Sequence, residues 1–446
     1  MTAEAVVMNQ SAVALAADST VSIGRSKTYD SVNKLFELIK GSNIGVMIYN
    51  NASINGTPWE TVIKAYRREN SGFTAAYVSD YRDHFFKFIS DHEDLLSPAD
   101  EGYAIIGLCL SRAMELISRL ENFPEDIATA SGKIVKTRLR SAVDTIIEET
   151  AAEDKARHDQ MTAAGLITYP ADVTKLESEF FGIVSNFVHG FICEENGLAV
   201  TAAQEKRLAR LWLSDIAFGG ADQFDTGIVF AGFGTKDYFP SMVSSRVAAR
   251  LSGGLIGMET QSTKLSVDSP GDWMTFAQDG PARGWANGIH DDMRHAVKTE
   301  LNAWTHSRLP QETLDKLQAE GFSKADATKA ARVVGDIAHG YLHEFGTYMA
   351  EYERRFFQDP MSASIAVLPK GDLGLLAESF VNLTSLRQRM SINQMNTVGG
   401  PIDVAVISIG DGFVWMNRKH YFSDKLNPSW HLTHQGRLDY RSETNE

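Results

Sequence analysis

The stretch TAEAVVMNQSAVALAADST, residues 2–20, contains two short apolar runs separated by a polar turn. The runs are Ala5–Met8 and Ala12–Ala17, with Asn9-Gln10-Ser11 between them. Apolar runs of this length around a polar turn are typical of a β-hairpin. We therefore predict a hairpin that returns Asp18, at the end of its second strand, towards Thr2.

A second strand pair is predicted directly after this hairpin. Asn33–Leu38 and Ile44–Tyr49 are largely apolar, and Gly41-Ser42-Asn43 supplies a turn between them. Lys34 stands at the start of the first of these strands. Thr57-Pro58-Trp59-Glu60 then predicts a helix start, with Thr57 and Glu60 forming a capping box and Pro58 at the first helical position.

The rest of the chain alternates between helical and β-type patterns. Helical spacing dominates residues 75–223, and β character returns at Gly227–Phe233 and near the C-terminus at Ile402–Ser408. We therefore predict a core built from residues 1–74, 224–304 and 360–425, with a helical insertion at 75–223. Additional helices at 305–359 and a surface tail at 426–446 complete the predicted organisation.

Composition excludes some functions and indicates a compartment. The 446 residues are 43% hydrophobic and 22% charged, which is an ordinary balance for a soluble globular protein. The formal net charge of −14 argues against binding to nucleic acid or to an anionic membrane surface. No secretory signal or transmembrane run is recognisable. Cys109 and Cys193 are far apart in apolar surroundings, so free thiols and a cytoplasmic location are expected.

Thr2, Asp18 and Lys34 form the constellation with chemical meaning. Removal of Met1 would leave Thr2 with a free α-amino group, whose ordinary pKa of about 7.7–8.0 suits a base at neutral pH. A threonine hydroxyl is a poor nucleophile unless a base takes its proton. A lysine ammonium would lower the pKa of that amine, and a carboxylate would orient the lysine. The predicted hairpins allow all three residues to meet.

These residues resemble the proteasome β-subunit family of N-terminal-nucleophile hydrolases. The matching segments are Thr2, Ala17-Asp18-Ser19-Thr20 and Asn33–Leu38, and Asp18 and Lys34 follow Thr2 at the family's steps of sixteen and thirty-two residues. Later segments, Gly227–Gly234 and Thr397–Val406, are similar to the family's central strand and its final glycine pair and strands.

The resemblance implies an α+β fold, an αββα four-layer sandwich, enlarged here by the helical insertion. It also implies a threonine-type peptidase that needs no cofactor and acts on a peptide or other amide. Homo-oligomers, such as rings, are expected, and an ATPase or adaptor partner is left open.

Further site residues follow from the same resemblance. Thr20 and Ser22 match positions that border an extended peptide, and a backbone N–H at Asn50 is the candidate oxyanion donor. Asp279 stands where the family has a serine before a helix. The serine before the glycine pair is replaced by Val398, and its supporting aspartate by Met395.

These departures keep two other functions open beside a threonine peptidase. One is a catalytically silent assembly subunit, and the other is an amidase for a non-peptide substrate. No metal site is predicted: His339 and His343 are one helical turn apart, but the glutamate of a zinc-protease motif is absent between them.

Overall fold

The structure is a computed structural model that describes residues 2–23, 27–123, 135–163, 168–169, 172–219, 225–390, 398–423 and 426–427. The predicted tail at 426–446 lies outside the described residues, apart from 426 and 427. The described chain is a mixed α/β structure of helices and antiparallel sheets, which confirms the coarse fold class. No helix in these ranges is both long enough and apolar enough to cross a bilayer.

Fifteen strands are described. They are β1 Ala3–Asn9, β2 Ala12–Ala17, β3 Val21–Ile23, β4 Lys27–Tyr29, β5 Leu35–Glu37, β6 Ile44–Asn50, β7 Ser53–Ile54, β8 Thr57–Pro58, β9 Thr168–Tyr169, β10 Thr226–Gly232, β11 Ser241–Leu251, β12 Gly254–Lys264, β13 Gly271–Ala277, β14 Asp403–Ser408 and β15 Gly412–Asn417. The first sheet has the order β13-β1-β2-β14-β15, and the second has the order β5-β6-β10-β11-β12-β9. All their strand pairs are antiparallel.

Twelve α-helices and three π-helical turns accompany the sheets in the part of the chain that the structure describes. The helices are α1 Trp59–Glu69, α2 Val78–Asp91, α3 Pro98–Glu121, α4 Lys136–Ala163, α5 Val173–Val188, α6 Ala202–Ala217, α7 Gly280–Asn287, α8 Asp291–Ala303, α9 Leu309–Ala319, α10 Lys324–Glu353, α11 Asp359–Ala366 and α12 Lys370–Arg389. The π-helical turns are His189–Glu195, Trp304–Arg308 and Arg354–Gln358. The predicted insertion at 75–223 thus contains α2 to α6, but its boundaries stay a prediction.

The predicted capping box at Thr57 is wrong. Thr57 and Pro58 form the short strand β8, and α1 begins at Trp59 without a side-chain cap. The Thr57 hydroxyl donates instead to the carbonyl oxygen of Leu95 at 2.8 Å, and Glu60 accepts from Lys64 and Asn33. Strand pairing holds Thr57 in an extended conformation, so its hydroxyl serves a tertiary contact.

Alternating side chains of the first sheet pack on two sides. Val6 and Leu15 lie in one apolar cluster with Met47 and Val229 of the second sheet. Residues of the opposite alternation, such as Val7, lie in a cluster with side chains of α7, α11 and α12. This period-two division explains why β1 and β2 are buried throughout, since both of their faces are covered.

The second sheet is covered by α1 and α2. Phe230 of β10 packs with Trp59 of α1 and Phe85 of α2 in one buried cluster. A separate apolar cluster is formed mainly by α3 to α6, and it reaches the sheet through Leu251 of β11. The two sheets approach closely at Gly45, because a Cβ there would lie 2.4 Å from Leu15 Cδ1.

Candidate active site

Lys34 connects the residues of the predicted constellation. Its Nζ donates to Thr2 Oγ1 at 3.0 Å, to Asp18 Oδ1 at 2.6 Å and to the carbonyl oxygen of Thr20 at 2.6 Å. Thr2, Asp18, Thr20 and Lys34 are all buried. Each of the three ammonium hydrogens therefore has an acceptor, which fixes the cation against the threonine hydroxyl.

Two hairpins bring these residues together. The β1–β2 register pairs Glu4 with Ala17, so Asp18 lies beside Ala3 and donates its backbone N–H to the Ala3 carbonyl oxygen at 3.1 Å. Lys34 immediately precedes β5, and its carbonyl oxygen accepts from the N–H of Ile48 on β6 at 3.0 Å. The strand register therefore sets the direction from which Lys34 approaches Thr2.

The Asp18 carboxylate is held by four donors. Oδ1 accepts from the N–H of Ala3 at 3.2 Å and from Lys34, while Oδ2 accepts from the N–H groups of Thr20 at 3.3 Å and Gly399 at 3.1 Å. Gly399 follows Val398, whose N–H donates to Gln388 Oε1 at 2.9 Å. The glycine pair near the C-terminus thus contributes a backbone donor to the site, although Val398 itself offers only an apolar side chain.

Burial and charge act on Lys34 in opposite directions. Burial lowers the pKa of the Lys34 ammonium, and the neighbouring Asp18 carboxylate partly opposes that decrease by attraction and hydrogen bonding. The lowered pKa makes the ammonium a better proton donor than an exposed lysine. A readily donated proton beside Thr2 Oγ1 suits a reaction in which negative charge develops on that oxygen.

The other predicted site residues lie at different distances from this centre. Thr20 takes part directly, and its hydroxyl also donates to Asp30 Oδ1 at 2.7 Å. Ser22 lies on β3 and pairs with Thr28 of β4. Asn50 ends β6 with a φ of 66° and is exposed. Among the described residues, no hydrogen bond joins Asn50 to Thr2, so its role as an oxyanion donor stays a prediction.

Asp279 follows Gln278, and it is Gln278 that contacts the centre. The N–H of Gln278 donates to the carbonyl oxygen of Thr2 at 3.0 Å. Asp279 itself pairs with Arg283 at 3.2 Å, and burial raises the pKa of its carboxyl group. Met395 lies outside the described residues.

Glu4 is a residue of the site that sequence reasoning missed. It is 2% exposed, and neither carboxylate oxygen has a hydrogen-bond partner among the described residues. Burial raises its pKa well above the ordinary value, with Lys34 opposing and Asp18 adding to this effect. Strand alternation could have revealed it, because Glu4, Val6 and Met8 alternate along β1 on one face and the last two are apolar.

Comparisons with known proteins give a distant likeness only. No protein-family model matches the chain, and no curated protein matches it. An Anbu (Gly-1) mutant from Hyphomicrobium sp. strain MC1 is similar at 10% identity and a TM-score of 0.27, covering 100% of this chain and 99% of that chain. Anbu, the ancestral beta-subunit, from Yersinia bercovieri is similar at 8% identity, a TM-score of 0.27, and coverage of 100% and 98%.

A third similar structure is the helical assembly of the Anbu complex from Pseudomonas aeruginosa, at 8% identity and a TM-score of 0.27. It covers 98% of this chain and 96% of that chain. The predicted assignment to the proteasome β-subunit family is therefore wrong, since no family model matches and these similar structures are Anbu proteins. The chemistry of the site must be derived from its own side chains.

Proposed function

We propose that this chain hydrolyses amide bonds, with Thr2 as the nucleophile once Met1 is removed. The observation that carries the proposal is the 3.0 Å hydrogen bond from Lys34 Nζ to Thr2 Oγ1, with Lys34 held by Asp18 and the Thr20 carbonyl oxygen. A buried cation with all its donors directed at fixed acceptors is pre-organised to stabilise charge on the hydroxyl oxygen.

The proposed reaction has two steps. Thr2 Oγ1 attacks the amide carbon while its proton passes to the free α-amino group of Thr2. That proton then goes to the leaving amine as the C–N bond breaks, and an ester remains on Oγ1. Water attacks the ester and gives a proton to the α-amino group, and Oγ1 takes this proton as the acid leaves.

Lys34 and Asp18 have supporting roles in this scheme. The Lys34 ammonium stabilises negative charge on Oγ1 and lowers the pKa of the nearby α-amino group by charge repulsion. Asp18 orients Lys34 and is itself held by the N–H groups of Ala3, Thr20 and Gly399. The backbone N–H of Asn50 is the proposed oxyanion donor, and β3 with Ser22 is the proposed edge for an extended peptide.

A catalytically silent protein is the second candidate, and one observation favours it. Thr2 is only 3% exposed, so a substrate would have to reach a nucleophile that has little accessible surface. Hydrolysis of fluorogenic peptide amides and of small non-peptide amides separates the candidates. Thr2→Ala also permits removal of Met1, so it is the appropriate variant. Hydrolysis by the wild type that is lost in this variant supports the hydrolase and shows which amide class it prefers. Equal rates in both proteins would contradict it.

The layer arrangement and the compartment belong to the same proposal. We infer an αββα four-layer sandwich, because one apolar cluster lies between the sheets and two others cover their outer faces with helices. A cytoplasmic location is inferred from the two free cysteines, Cys109 and Cys193.

Assembly of several copies is also proposed, through an apolar groove beside α10. Trp304, Ile337, Tyr341 and Phe345 line this groove, and each is at least 44% exposed. The N-terminal part of α10 carries three basic residues and one acid, whereas the remainder carries four acids and neither lysine nor arginine. These residues are Lys324, Asp326, Lys329 and Arg332, and then Asp336, Glu344, Glu351 and Glu353. Two copies of α10 packed antiparallel would therefore place basic residues against acidic ones while covering the groove.

Light scattering after size-exclusion chromatography tests this contact. Tyr341→Glu places a charge in the groove and should reduce the measured mass to that of a smaller species. Tyr103→Glu is the matched control, because Tyr103 is 78% exposed on α3 and does not line the groove. A wild-type monomer, or an oligomer that Tyr341→Glu leaves intact, would contradict the proposed contact.

A further inference from the structure

A second cluster of reactive side chains lies in the helical part of the chain, where α5 passes into the π-helical turn His189–Glu195. His189 and Cys193 are four residues apart on this turn, and Glu205 faces them from the first turn of α6. One ligand atom from each of these residues lies within 4.8 Å of the other two. π-Helical turns are uncommon, and they occur often at functional sites.

The distances in this cluster resemble those between the ligands of a metal ion. His189 Nδ1 lies 3.3 Å from Glu205 Oε2, and Cys193 Sγ lies 3.6 Å from Glu205 Oε1. Zinc–ligand bonds of about 2.0–2.3 Å at tetrahedral angles separate nitrogen and oxygen ligands by about 3.3 Å, and sulfur and oxygen ligands by about 3.5 Å. The two contacts involve different oxygens of Glu205, so the carboxylate would bind one ion through both oxygens or turn to present one of them, and one ligand atom of each side chain already lies within 4.8 Å of the other two.

The outer ring nitrogen of His189 supplies an independent observation. Its Nε2 lies 3.7 Å from Glu194 Oε1, whereas Nδ1 is the nitrogen near Glu205. Histidines that bind metals through one nitrogen usually donate the other N–H to a carboxylate or carbonyl oxygen, which fixes the tautomer. At 3.7 Å the two atoms are too far apart for a hydrogen bond, but a small rotation of either side chain would let Glu194 accept one from Nε2.

We infer that His189, Cys193 and Glu205 bind a zinc ion, with water in the fourth position. Imidazole, thiolate and carboxylate together form a ligand set suited to Zn²⁺ rather than to Mg²⁺ or Ca²⁺, which prefer oxygen ligands alone. Binding replaces the thiol proton of Cys193, which passes to solvent. The ion would connect the end of the α5 segment to the start of α6.

The zinc site is distinct from the proposed hydrolytic centre and requires no activity for its detection. The alternative is a metal-free contact, in which His189 and Cys193 simply pair with Glu205. The zinc site and the metal-free contact differ in whether a divalent cation acquires a thiolate ligand. Co²⁺ distinguishes them, because a tetrahedral cobalt–thiolate complex absorbs in the visible and near-ultraviolet, whereas a cation on surface carboxylates does not.

The experiment titrates full-length, chelator-treated protein with Co²⁺ and then displaces it with Zn²⁺. We expect one equivalent per chain with a thiolate-to-cobalt band, lost in Cys193→Ser and in Glu205→Gln. Glu194→Gln should keep the band but weaken affinity by about 10–100-fold. Cys109→Ser and the double variant His339→Asn/His343→Asn should match the wild type, because the first removes the buried thiol and the second removes two histidines one helical turn apart on α10.

Circular dichroism of the metal-free variants identifies any that fail to fold. If Cys193→Ser does not fold, loss of the cobalt band in Glu205→Gln, which keeps the thiol, tests the site in its place. Absence of a thiolate band in the wild type, or a band that persists in folded Cys193→Ser, would overturn the zinc site.

Discussion

Replacing Lys34 by Met tests the role given to the buried ammonium. Lys34→Met retains a long side chain but removes hydrogen bonds to Thr2 Oγ1, Asp18 Oδ1 and the Thr20 carbonyl oxygen. Removal of one pre-organised donor from a reacting oxygen costs about 10²–10³-fold in rate. We expect a decrease of that size in the rate at which a threonine-directed epoxyketone forms an adduct, followed by intact mass.

The same change has a stability cost that can be bounded from the structure. The side chains of Lys34 and Asp18 are 5% and 0% exposed, and removal of one partner from such a buried pair costs about 3–5 kcal/mol. Asp18 keeps three backbone N–H donors, from Ala3, Thr20 and Gly399, which places the expected loss near the lower value. Urea unfolding measures this loss, and only conditions under which the variant is folded are used for the rate.

Lys370→Met is the matched control for Lys34→Met. Lys370 pairs with Asp411 at 2.7 Å, but their side chains are 45% and 59% exposed, so the loss in free energy of unfolding should be much smaller than that of Lys34→Met. Its adduct rate should equal that of the wild type. A folded Lys34→Met protein whose adduct rate stays within about threefold of the wild type would refute the electrostatic role of Lys34.

Three further predictions concern other buried features. Glu4→Gln should raise the free energy of unfolding at pH 8 but not at pH 4. Burial raises the Glu4 pKa, so wild-type stability falls as pH rises above the ordinary pKa of a glutamate. Urea unfolding at both pH values checks this, and an effect independent of pH would contradict it. Gly45→Ala should lower the free energy of unfolding by about 1–3 kcal/mol, because the new Cβ would lie 2.4 Å from Leu15 Cδ1. Gly107→Ala on α3 is the control: its Cβ would meet nothing within 4 Å, so the free energy of unfolding should not fall. Glu101→Ala should lower the free energy of unfolding by about 3–5 kcal/mol, since it removes the carboxylate 2.6 Å from Nη1 of the buried Arg250. A decrease smaller than that of the Lys370→Met control would show that this pair does not hold α3 to β11.

The first two hairpins could be predicted because their information is local. Apolar runs around Asn9-Gln10-Ser11 specify β1 and β2, and the resulting register places Asp18 beside Ala3. The position of Lys34, directly before β5, follows in the same way from the next strand pair. Residues 2–49 therefore suffice to predict that Thr2, Asp18 and Lys34 meet, and their side chains lie in one buried hydrogen-bond network.

Other parts depended on contacts between distant segments. The N–H of Gly399 reaches Asp18 across 381 residues, and no pattern near either residue specifies that bond. The strands β11 and β12 were missed although Ser252 and Gly253 form a turn between them, because serine and arginine interrupt the apolar alternation of β11. Glu4 was missed because a carboxyl group on a buried strand face contradicts the apolar pattern that identified the strand.

The most direct test of the proposed function is the covalent state of Thr2. Intact mass and peptide mapping of protein purified from its own cells, before and after reaction with an epoxyketone, report both removal of Met1 and the residue modified. The account predicts a mass that lacks Met1 and a single adduct on Thr2 that is absent from Thr2→Ala. A retained Met1, or a free Thr2 that forms no adduct, would contradict the account and favour a catalytically silent protein.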